Sequence, residues 1–515
     1  MFGNIRIKHD KKIQSKLKEM GSLPQPEVLC GTYDEKLEII KSFFQDDEQI
    51  GFREIYAGKK GELRACLISC DGMVDAALID NHLIRPLIRI EKLPKDKTSA
   101  DAFLSRTFEM LKVQKTNQAA DIIQGITSGD TLVLMECLEE GLLFETKGFE
   151  LRAISEPEGE KIISGPREGF TESLVQNLSM VRRKFQTEKL KVQFVKTGKT
   201  TNTKIGIAYL DKVADPEVLR TLQSRLAQID IDGILDANYI NELIRDQAWT
   251  PFRTTGYTER PDVVAAKLLE GRIAVFTDGT PVVLTVPYLF IENFQSNEDY
   301  YLNFYYSTFS RILRILGFFL TTMLPAVYIA IVAFHQEILP SPLLISVAAE
   351  QQSVPLPAAL EALIMLVVFE ILRETALRMQ TNVGQALSIV GALVVGQAAV
   401  EARLVAAPML IIIAMAGITS LLIPKMNSPI LLIRFGTLLM ATCLGFLGVT
   451  ISCVFILGHV LCLHSFGVWQ FAADRPISLQ KIKDTALRVP WSEMLFRPSW
   501  LTNNIVRQQK NRKGE

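Results

Sequence analysis

The chain has 515 residues, a formal net charge of zero and 48% hydrophobic residues. This balanced charge gives no support to a nucleic-acid partner, which would require a basic surface. The mean hydropathy is positive, which is high for a wholly soluble protein, and the hydrophobic residues are unevenly distributed. A chain of this length is expected to form about two to four domains.

The residues before position 300 are predicted to form a soluble α/β half, because no apolar run there approaches the roughly 20 residues that cross a bilayer. Two stretches, 62–89 and 204–229, share one plan of a strand, an aspartate-containing turn and a helix. Each favours a small α/β subdomain, and the recurrence suggests an internal duplication. The predicted organisation is a basic tail (1–25), a first α/β subdomain (26–150), a linker (151–164), a second α/β subdomain with a junction (165–300), a transmembrane domain (301–465) and a basic cytoplasmic tail (466–515).

The motifs that could carry chemistry point away from an enzyme. Gly198-Lys199-Thr200 is similar to the end of a phosphate-binding loop, but Gln193 occupies the position where that loop requires a glycine. The five histidines are scattered, and the seven cysteines form no CxxC pair, which predicts reduced, buried thiols. We therefore expect no catalytic residue, no metal and no cofactor.

The stretch 254–286 is predicted to be a helix followed by a hairpin, immediately before the hydrophobic half. Thr258 can cap this helix, Pro261 suits its first turn and Gly271 can end it. The dipeptide Asp278-Gly279 between two β-branched runs predicts a two-residue hairpin turn with a positive φ at the glycine. The candidate junction residues are Glu259, Arg260, Pro261, Asp278 and Gly279.

Several long apolar runs follow residue 310 and predict an all-α, polytopic transmembrane domain of about four or five spans. Both termini are basic, and residues 1–20 lack the apolar core of a signal peptide, so both ends are expected on the cytoplasmic side. The number of full spans must then be even, which leaves one block re-entrant or interfacial; the proline-flanked stretch 339–360 is the best candidate. The apolar blocks are 312–334, 358–371, 383–400, 404–423 and 435–458.

Aromatic and charged residues mark further positions in this half. The aromatic-rich stretch 297–311 is expected to form an interfacial belt, with a ligand cage as the alternative. Because charges in lipid are costly, the charges of this region should pair or face protein or water. Glu370 with Arg373, or Glu374 with Arg378, would form a local helix pair, and an ion-path or gating role is the alternative. The intramembrane charges are Glu361, Glu370, Arg373 and Glu374.

A stripe of small residues runs along the predicted helix at 383–401. At 100° per residue the stripe occupies a sector about 80° wide, with Ile389 and Val395 at its edges, and Leu387, Val390 and Val394 lie opposite. The stripe consists of Gln385, Ser388, Ala392, Gly396 and Ala399. The stripe can let helices pack closely, which the sequence slightly favours, or it can line a pore in a symmetric oligomer. The opposite face, with Val390 and Val394 as a dewetting constriction, is a further alternative. The candidate pore-lining residues are Gln385, Ser388, Ile389, Ala392, Val395, Gly396 and Ala399.

Together these features resemble the A subunits of GerA-type spore germinant receptors. The resemblance rests on ERPDVVAAKLLEGRIAVFTDGTPVVLTVP at 259–287, on EILRE at 370–374 and on GQALSIVGALVVGQAAV at 384–400. It extends over about residues 26–500. The chain departs from the family at Ala402-Arg403, where a glycine is usual.

The resemblance implies a cytoplasmic α/β region followed by a polytopic half in the inner membrane of the spore. It implies membrane lipid and two protein partners, a transporter-like B subunit that binds the nutrient and a lipoprotein C subunit. A subunits would assemble into a ring, a pentamer, around an ion channel that opens when nutrient binds. The stretch 254–286 would then be a rigid coupling or ring-contact element, with a well-capped piece of ordinary core as the alternative.

Two other functions are consistent with the residues. A solute or ion transporter that acts by alternating access usually has inverted repeats and broken helices in both halves, and the sequence contains one proline-broken stretch without a convincing second copy. A scaffold that only anchors partners would not need the stripe of small residues.

Overall fold

The computed structural model describes residues 28–58, 63–90, 112–148, 157, 159–162, 164–378 and 394–471, with five short pieces of the tail (484–485, 487–494, 496–497, 501–502 and 506–507). Within these residues, two five-stranded sheets precede a helical region. The predicted α/β first half and helical second half are therefore confirmed.

The first part of the soluble half is one sheet with helices on both faces. Its elements are α1 (Tyr33–Phe43), β1 (Ile50–Ala57), β2 (Leu63–Cys70), a helix that changes from α (Ala76–Leu78) to π (Ile79–Ile84) and back to α (Arg85–Ile88), β3 (Val113–Thr116), α2 (Ala119–Ser128), β4 (Thr131–Met135) and β5 (Gly141–Phe144). The strand order is β1-β2-β4-β5-β3, and every pairing is antiparallel. Successive residues of a strand point to opposite faces. Cys66 and Ile68 therefore pack with α1 and α2, whereas Ala65 and Leu67 pack with the π-containing helix.

The second sheet repeats this architecture. Its elements are α3 (Leu174–Arg182), β6 (Leu190–Thr197), β7 (Thr203–Leu210), α4 (Pro216–Ala227), α5 (Ala237–Ile244), β8 (Gly256–Thr258), α6 (Pro261–Leu269), β9 (Ile273–Thr277) and β10 (Val283–Val286). The strand order, β6-β7-β9-β10-β8, matches that of the first sheet position by position and is again antiparallel. Helices α3 and α6 cover one face, and α4 and α5 cover the other. This repeated order supports the internal duplication that the sequence suggested.

A buried ion pair connects the two sheets. Arg182 at the end of α3 donates from Nη2 to Asp47 Oδ2 over 2.7 Å and from Nε to Gln49 Oε1 over 3.1 Å. Both charged side chains are completely buried. The main-chain N–H of Glu48 also donates to the carbonyl of Val192 over 2.8 Å, at the edge of the second sheet. Removing one partner of such a buried pair costs about 3–5 kcal/mol, so this contact holds the two sheets in a fixed arrangement.

The helical half follows two short 3-10 helices (Phe290–Phe294 and Asn297–Tyr300). Its elements are α7 (Phe304–Phe334), a 3-10 turn (Gln336–Ile338), α8 (Ser341–Gln352), α9 (Ala358–Arg378), a helical stretch over 394–401, α10 (Ala407–Ser420), a 3-10 turn (Pro424–Met426), α11 (Asn427–Leu444), α12 (Phe446–Leu461), the short strands β11 (His464–Ser465) and β12 (Val468–Trp469), and a 3-10 turn (Trp491–Glu493). Among the described helices, α7 and the segment Pro424–Leu444 are long and apolar enough to cross a membrane. Helices α10 and α12 are apolar but shorter.

The helices of this half run back and forth along α7. The hydroxyl of Thr321 on α7 donates to the carbonyl of Ala416 on α10 over 2.7 Å, and Thr437 on α11 donates to the carbonyl of Thr322 over 3.0 Å. Helix α7 leaves the soluble half at its first turn. The last turn of α12 returns to it, since His459 Nε2 lies 2.9 Å from the hydroxyl of Thr250. The helical half therefore begins and ends beside the soluble half.

Two of the predicted apolar blocks differ from the observed helices. The prediction of one span over 435–458 is wrong, because the chain breaks at Gly445, whose φ is 60°, and forms two helices. Block 404–423 forms the 14-residue α10, which is shorter than the roughly 20 residues of a span. The stretch 339–360 contains the helix α8, so its apolar residues are mainly helical. Most of block 383–400, up to residue 393, lies outside the described residues.

The seven cysteines are all unpaired, as predicted. Only Cys66 and Cys70 are buried, so the prediction of buried thiols holds for these two and is wrong for the exposed Cys30, Cys443, Cys453 and Cys462. Burial raises the pKa of Cys66 to about 11 and that of Cys70 to about 12, and both thiols therefore stay protonated at neutral pH.

Candidate functional site

The predicted helix and hairpin at the junction are present, with two corrections. Pro261 is the first residue of α6 and Gly271 has a φ of 95°, as predicted, but the N-cap is Arg260. Thr258 belongs to β8, so its prediction as the cap is wrong; its hydroxyl accepts the N–H of Arg260 over 3.2 Å. The predicted two-residue turn is also wrong, because the connection between β9 and β10 runs from Asp278 to Val282.

The turn at Asp278 and Gly279 fixes the start of α3. The Asp278 carboxylate accepts the N–H of Leu174, the first residue of α3, over 3.1 Å. The N–H of Gly279 donates to the carbonyl of Glu172 over 2.8 Å, and the φ of this glycine is 88°, in agreement with the predicted positive value. The hairpin is distant from α3 in sequence, but it supplies the hydrogen-bond acceptor that the N-terminus of this helix needs.

Arg260 connects the junction to the segment between the two sheets. Its side chain is 1% exposed and donates to the carbonyl of Glu160 over 3.3 Å, to the carbonyl of Pro166 and to the Asp262 carboxylate. The N–H of Glu259 donates to the Glu160 carboxylate over 3.2 Å. These contacts give Arg260 a structural role at the junction, since its side chain holds the main chain of Glu160 and Pro166 in place, whereas Glu259 contributes its main-chain N–H.

Glu292 is the centre of a second buried cluster, just before the first long helix. Its carboxylate accepts hydrogen bonds from Lys267 at the end of α6 and from Arg272 at the start of β9. Arg272 also pairs with Glu270, which in turn pairs with Arg507 of the tail over 2.9 Å. Burial acts to raise the pKa of Glu270, but Arg272 and Arg507 outweigh it and hold this pKa below its ordinary value. This cluster therefore ties the helix-hairpin to both the tail and the entry to the helical half.

A third cluster holds the beginning of α7. Arg311 is completely buried and donates from Nε to the Asp299 carboxylate over 2.8 Å. Arg314 donates to the same carboxylate from both terminal nitrogens, each over 2.9 Å. On its other side, Arg311 Nη1 lies 3.1 Å from the carboxylate of Asp484, a tail residue that also accepts the hydroxyl of Tyr300. The first turns of α7 are thus clamped between the soluble half and the tail.

The tail docks on the second sheet as well. The hydroxyl of Thr502 donates to the carbonyl of Val213 over 2.5 Å, and Leu501 is 1% exposed. Thr502 also lies against Gly271, whose left-handed conformation ends the junction helix. The described pieces of the predicted cytoplasmic tail therefore belong to the junction.

The predicted aromatic belt divides into two groups. Tyr305, Tyr306 and Phe309 are between 59% and 73% exposed on the first turns of α7, as an interfacial belt requires. Tyr300 and Tyr301 instead turn their hydroxyls to protein carboxylates, and Tyr301 donates to Asp262 over 2.8 Å.

Three of the four predicted intramembrane charges, Glu370, Arg373 and Glu374, form ion pairs. Both local pairs expected from sequence are present, Glu370 with Arg373 over 2.5 Å and Glu374 with Arg378 over 2.6 Å. Glu370 also pairs across helices with the buried Arg434 of α11 over 3.2 Å. Arg434 in turn donates to the carbonyl and the hydroxyl of Thr321, which fixes α9 and α11 against α7.

Glu361 is buried, and its carboxylate is hydrogen-bonded to the N-terminus of another helix. Its carboxylate accepts the N–H of Ala406, at the N-terminus of α10, over 3.0 Å. The partial positive charge of a helix N-terminus stabilises a carboxylate there. This contact assigns Glu361 to packing between α9 and α10.

Only part of the predicted stripe can be placed. Gln385, Ser388, Ile389, Val390 and Ala392 lie outside the described residues. Gly396 is buried against Leu410 of α10, and Ala399 packs on the apolar cluster around Met409. Val394 and Val395 are 55% and 38% exposed. The small residues Gly396 and Ala399 therefore face α10. Val394 and Val395, one from each candidate face, are instead exposed.

The main contributors to the buried clusters were not predicted from sequence: Asp299, Glu292, Asp484 and Arg434. Arg434 could have been found, because it is a lone charge in the apolar run 429–446 and such charges are rarely without a partner. Asp484 could not, since its partner Arg311 is far away in the sequence.

The structure gives no support to the phosphate-binding motif or to a metal site among the described residues. Gly198 lies in a turn between the antiparallel strands β6 and β7, with a φ of 92°. A phosphate-binding loop leads into a helix instead. Across the residues that the structure describes, no group of three or more His, Cys, Asp or Glu side chains could hold a metal ion.

Comparison with known proteins decides the family. A model of the family described as "Bacillus/Clostridium GerA spore germination protein" matches residues 38–500. The chain belongs to the GerA family of spore germination proteins. The resemblance found in the sequence motifs is therefore confirmed across most of the chain.

Individual proteins are also similar to this chain. The chain is 40% identical over 501 residues to spore germination protein KA of Bacillus subtilis (strain 168), which covers 97% of this chain and 91% of the relative. It is 37% identical over 495 residues to the uncharacterized membrane protein YfkQ of the same organism, which covers 95% of each chain. It is also 32% identical to a solved structure, the N-terminal domain of the A subunit of the Bacillus megaterium spore germinant receptor GerK3, with a TM-score of 0.40; that match covers 51% of this chain and 97% of the domain.

Proposed function

We propose that this chain is the A subunit of a nutrient-responsive spore germinant receptor, and that copies of it enclose an ion channel that opens when nutrient is sensed. The supporting observation is the clamp at the start of α7. Arg311 and Arg314 on this helix share Asp299, and Arg311 also contacts Asp484 of the tail. Because the pairs are buried, a displacement of the soluble half carries the first long helix with it.

The proposal includes a multi-pass arrangement in the inner spore membrane with the soluble half in the cytoplasm. It is supported by α7 and the segment Pro424–Leu444, which have the length and composition of spans, and by the shorter apolar helices α10 and α12. The helical half begins and ends beside the soluble half, which agrees with an even number of crossings. We assign the two sheets to subdomains at 26–150 and 165–300, because all their strands fall within these limits.

Membership of the GerA family supports the proposed partners. They are further copies of the chain in a ring, a transporter-like B subunit that binds the nutrient, and a lipoprotein C subunit. The helix-hairpin at 254–286 is the proposed coupling element. It is supported by Asp262 on α6, which accepts a hydrogen bond from Tyr301 just before α7 begins.

We propose that Val394 or Val395, one from each candidate face, lines the ion path. They are exposed, whereas Gly396 and Ala399 of the same stretch pack against other helices of the chain. A ring of such apolar side chains closes a pore by excluding water, and a hydroxyl in their place lets water in.

Release of potassium from loaded vesicles tests this function. The purified chain and its Val394→Ser and Val395→Ser variants are reconstituted, with Leu439→Ser as the matched control because Leu439 is an exposed residue of another helix. We expect one of the valine variants to release potassium at least about tenfold faster than the wild type and the control. Release that saturates and requires an exchanged solute would indicate a transporter. Equal, slow release from all four correctly inserted proteins would indicate a scaffold, and either result rejects the channel.

A further inference from the structure

The loop between α5 and β8 carries the most exposed large hydrophobic side chain of the described residues. Trp249 is 100% exposed, although tryptophan is a large apolar residue that usually packs against protein. The neighbouring Phe252 is 5% exposed and packs with Phe290 and Phe318 in one apolar cluster. The loop is therefore ordered by one aromatic side chain and presents another outward.

The loop is fixed to the last turn of α12. The hydroxyl of Thr250, next to Trp249, lies 2.9 Å from His459 Nε2. On the other side of Trp249, the amide of Gln247 donates to the carbonyl of Cys462 over 3.3 Å. Trp249 is thus held beside the end of an apolar helix by a contact on each side.

The exposed surface of α12 leads towards this position. Val454, Phe455 and Leu457 are between 54% and 75% exposed, so this helix presents an apolar face to its surroundings. In a chain whose helices lie in lipid, that face contacts acyl chains, and its end marks the boundary with water. Tryptophan is enriched at this boundary because its ring is apolar and its N–H can reach a polar partner.

The charges of the loop suit a lipid surface. Residues 245–253 contain Arg245 and Arg253 and a single acidic residue, Asp246. Asp246 is already paired with Arg225 on α4 over 2.5 Å. The loop therefore has an excess of positive charge, which is attracted to anionic headgroups.

We infer that the loop 245–253 of the soluble half is a membrane anchor, in which Trp249 inserts at the headgroup level of the bilayer. This inference rests on the proposed placement of α12 in lipid. It adds a direct lipid contact by the soluble half, so that this half is held to the membrane at a point separate from the start of α7.

Quenching of tryptophan fluorescence by brominated lipid tests the anchor. The full chain carries Trp469→Phe, Trp491→Phe and Trp500→Phe, which leaves Trp249 alone, and is reconstituted in vesicles of phosphatidylcholine and phosphatidylglycerol with or without bromine on the acyl chains. We expect brominated lipid to lower the Trp249 emission about twofold or more, since bromine quenches only rings that reach the bilayer. As a second measurement, the wild-type chain with its four tryptophans should lose part of its quenching on Trp249→Phe alone.

Two controls separate the anchor from the membrane assignment. Phe455→Trp in a chain without other tryptophans reports on the exposed face of α12, and Tyr56→Trp in such a chain, at an exposed position of β1 in the first sheet, reports on the soluble side. Quenching at 455 and 249 but not at 56 supports the anchor, and equal quenching at all three positions overturns it. Quenching at 455 without quenching at 249 overturns it, and shows that water or another protein covers Trp249. The absence of quenching at 455 overturns the placement of α12 in lipid, and the anchor with it.

Discussion

The guanidinium of Arg311 lies 3.1 Å from the carboxylate of Asp484, although the two residues belong to the first long helix and to the C-terminal tail. The arginine is completely buried, and it also donates to the main-chain carbonyls of Asp484 and Thr485. The tail is therefore part of the structure that positions α7, and the soluble half, the tail and the helical half meet at this one side chain.

Asp484→Asn is expected to lower the free energy of unfolding by about 1–3 kcal/mol, because it removes one of the two carboxylates from a buried arginine. Thermal unfolding of the purified chain in detergent measures this change. Glu374→Gln is the matched control, since its pair with Arg378 is largely exposed and should contribute less than about 1 kcal/mol. Equal effects of the two substitutions would show that the tail does not clamp α7.

Gly279→Val is expected to weaken the nutrient response while leaving the protein abundant. A Cβ at this position meets no other atom within 4 Å, so the cost comes from the φ of 88°, about 1–2 kcal/mol for a β-branched residue. Germination of spores and immunodetection of the protein measure the two quantities. Gly279→Asn, which tolerates positive φ better, should retain most of the response. A normal response of the valine variant would show that the hairpin is not a coupling element.

Arg403→Gly is expected to stabilise the protein. Arg403 has a φ of 54°, in the left-handed region that favours glycine. Relief of this conformation should raise the free energy of unfolding by about 0.5–1 kcal/mol, after the greater freedom of glycine in the unfolded chain is taken into account. Thermal unfolding measures the change, and Ala402→Gly, which has no strain to relieve, should not raise stability. A lower unfolding temperature for Arg403→Gly would contradict this interpretation.

Val394→Ser or Val395→Ser is expected to cause germination without nutrient, because a hydroxyl admits water to an apolar constriction. The fraction of spores that lose refractility in buffer measures this effect. The two variants also distinguish the candidate faces: leakage from Val395→Ser indicates the face of Ser388 and Ala392, and leakage from Val394→Ser indicates the face of Val390. Dormant spores in both cases, with normal protein levels, would remove this helix from the pore.

The parts of the structure that sequence predicts are those that depend on neighbouring residues. Pro261 at a helix start, the positive φ of Gly279 and the pair of Glu370 with Arg373 each follow from local spacing, and the structure contains all three. The repeated strand-turn-helix plan likewise indicated that the two halves of the soluble region share a design.

The features that the sequence did not predict correctly have a common physical cause. Gly445 lies in an uninterrupted apolar run, so hydropathy gives no sign of the break between α11 and α12. The pairs of Arg311 with Asp484 and of Arg434 with Glu370 join residues that are distant in sequence, and only the packing of helices brings them together. Thr258 had the right chemistry for a cap, but its place in β8 moved the start of α6 to Arg260.

Modification of a cysteine placed in the proposed ion path tests whether this chain itself lines that path. Currents are recorded in a planar bilayer from the purified chain with Val394→Cys or Val395→Cys, before and after a charged, water-soluble methanethiosulfonate reagent. The wild type controls for the exposed native cysteines, and Leu439→Cys controls for an exposed residue of another helix, α11. An ion path lined by this chain predicts unitary currents that the reagent changes in at least one of the two valine variants and in neither control. Currents that respond identically in all four proteins, or no unitary current from any of them, would contradict it.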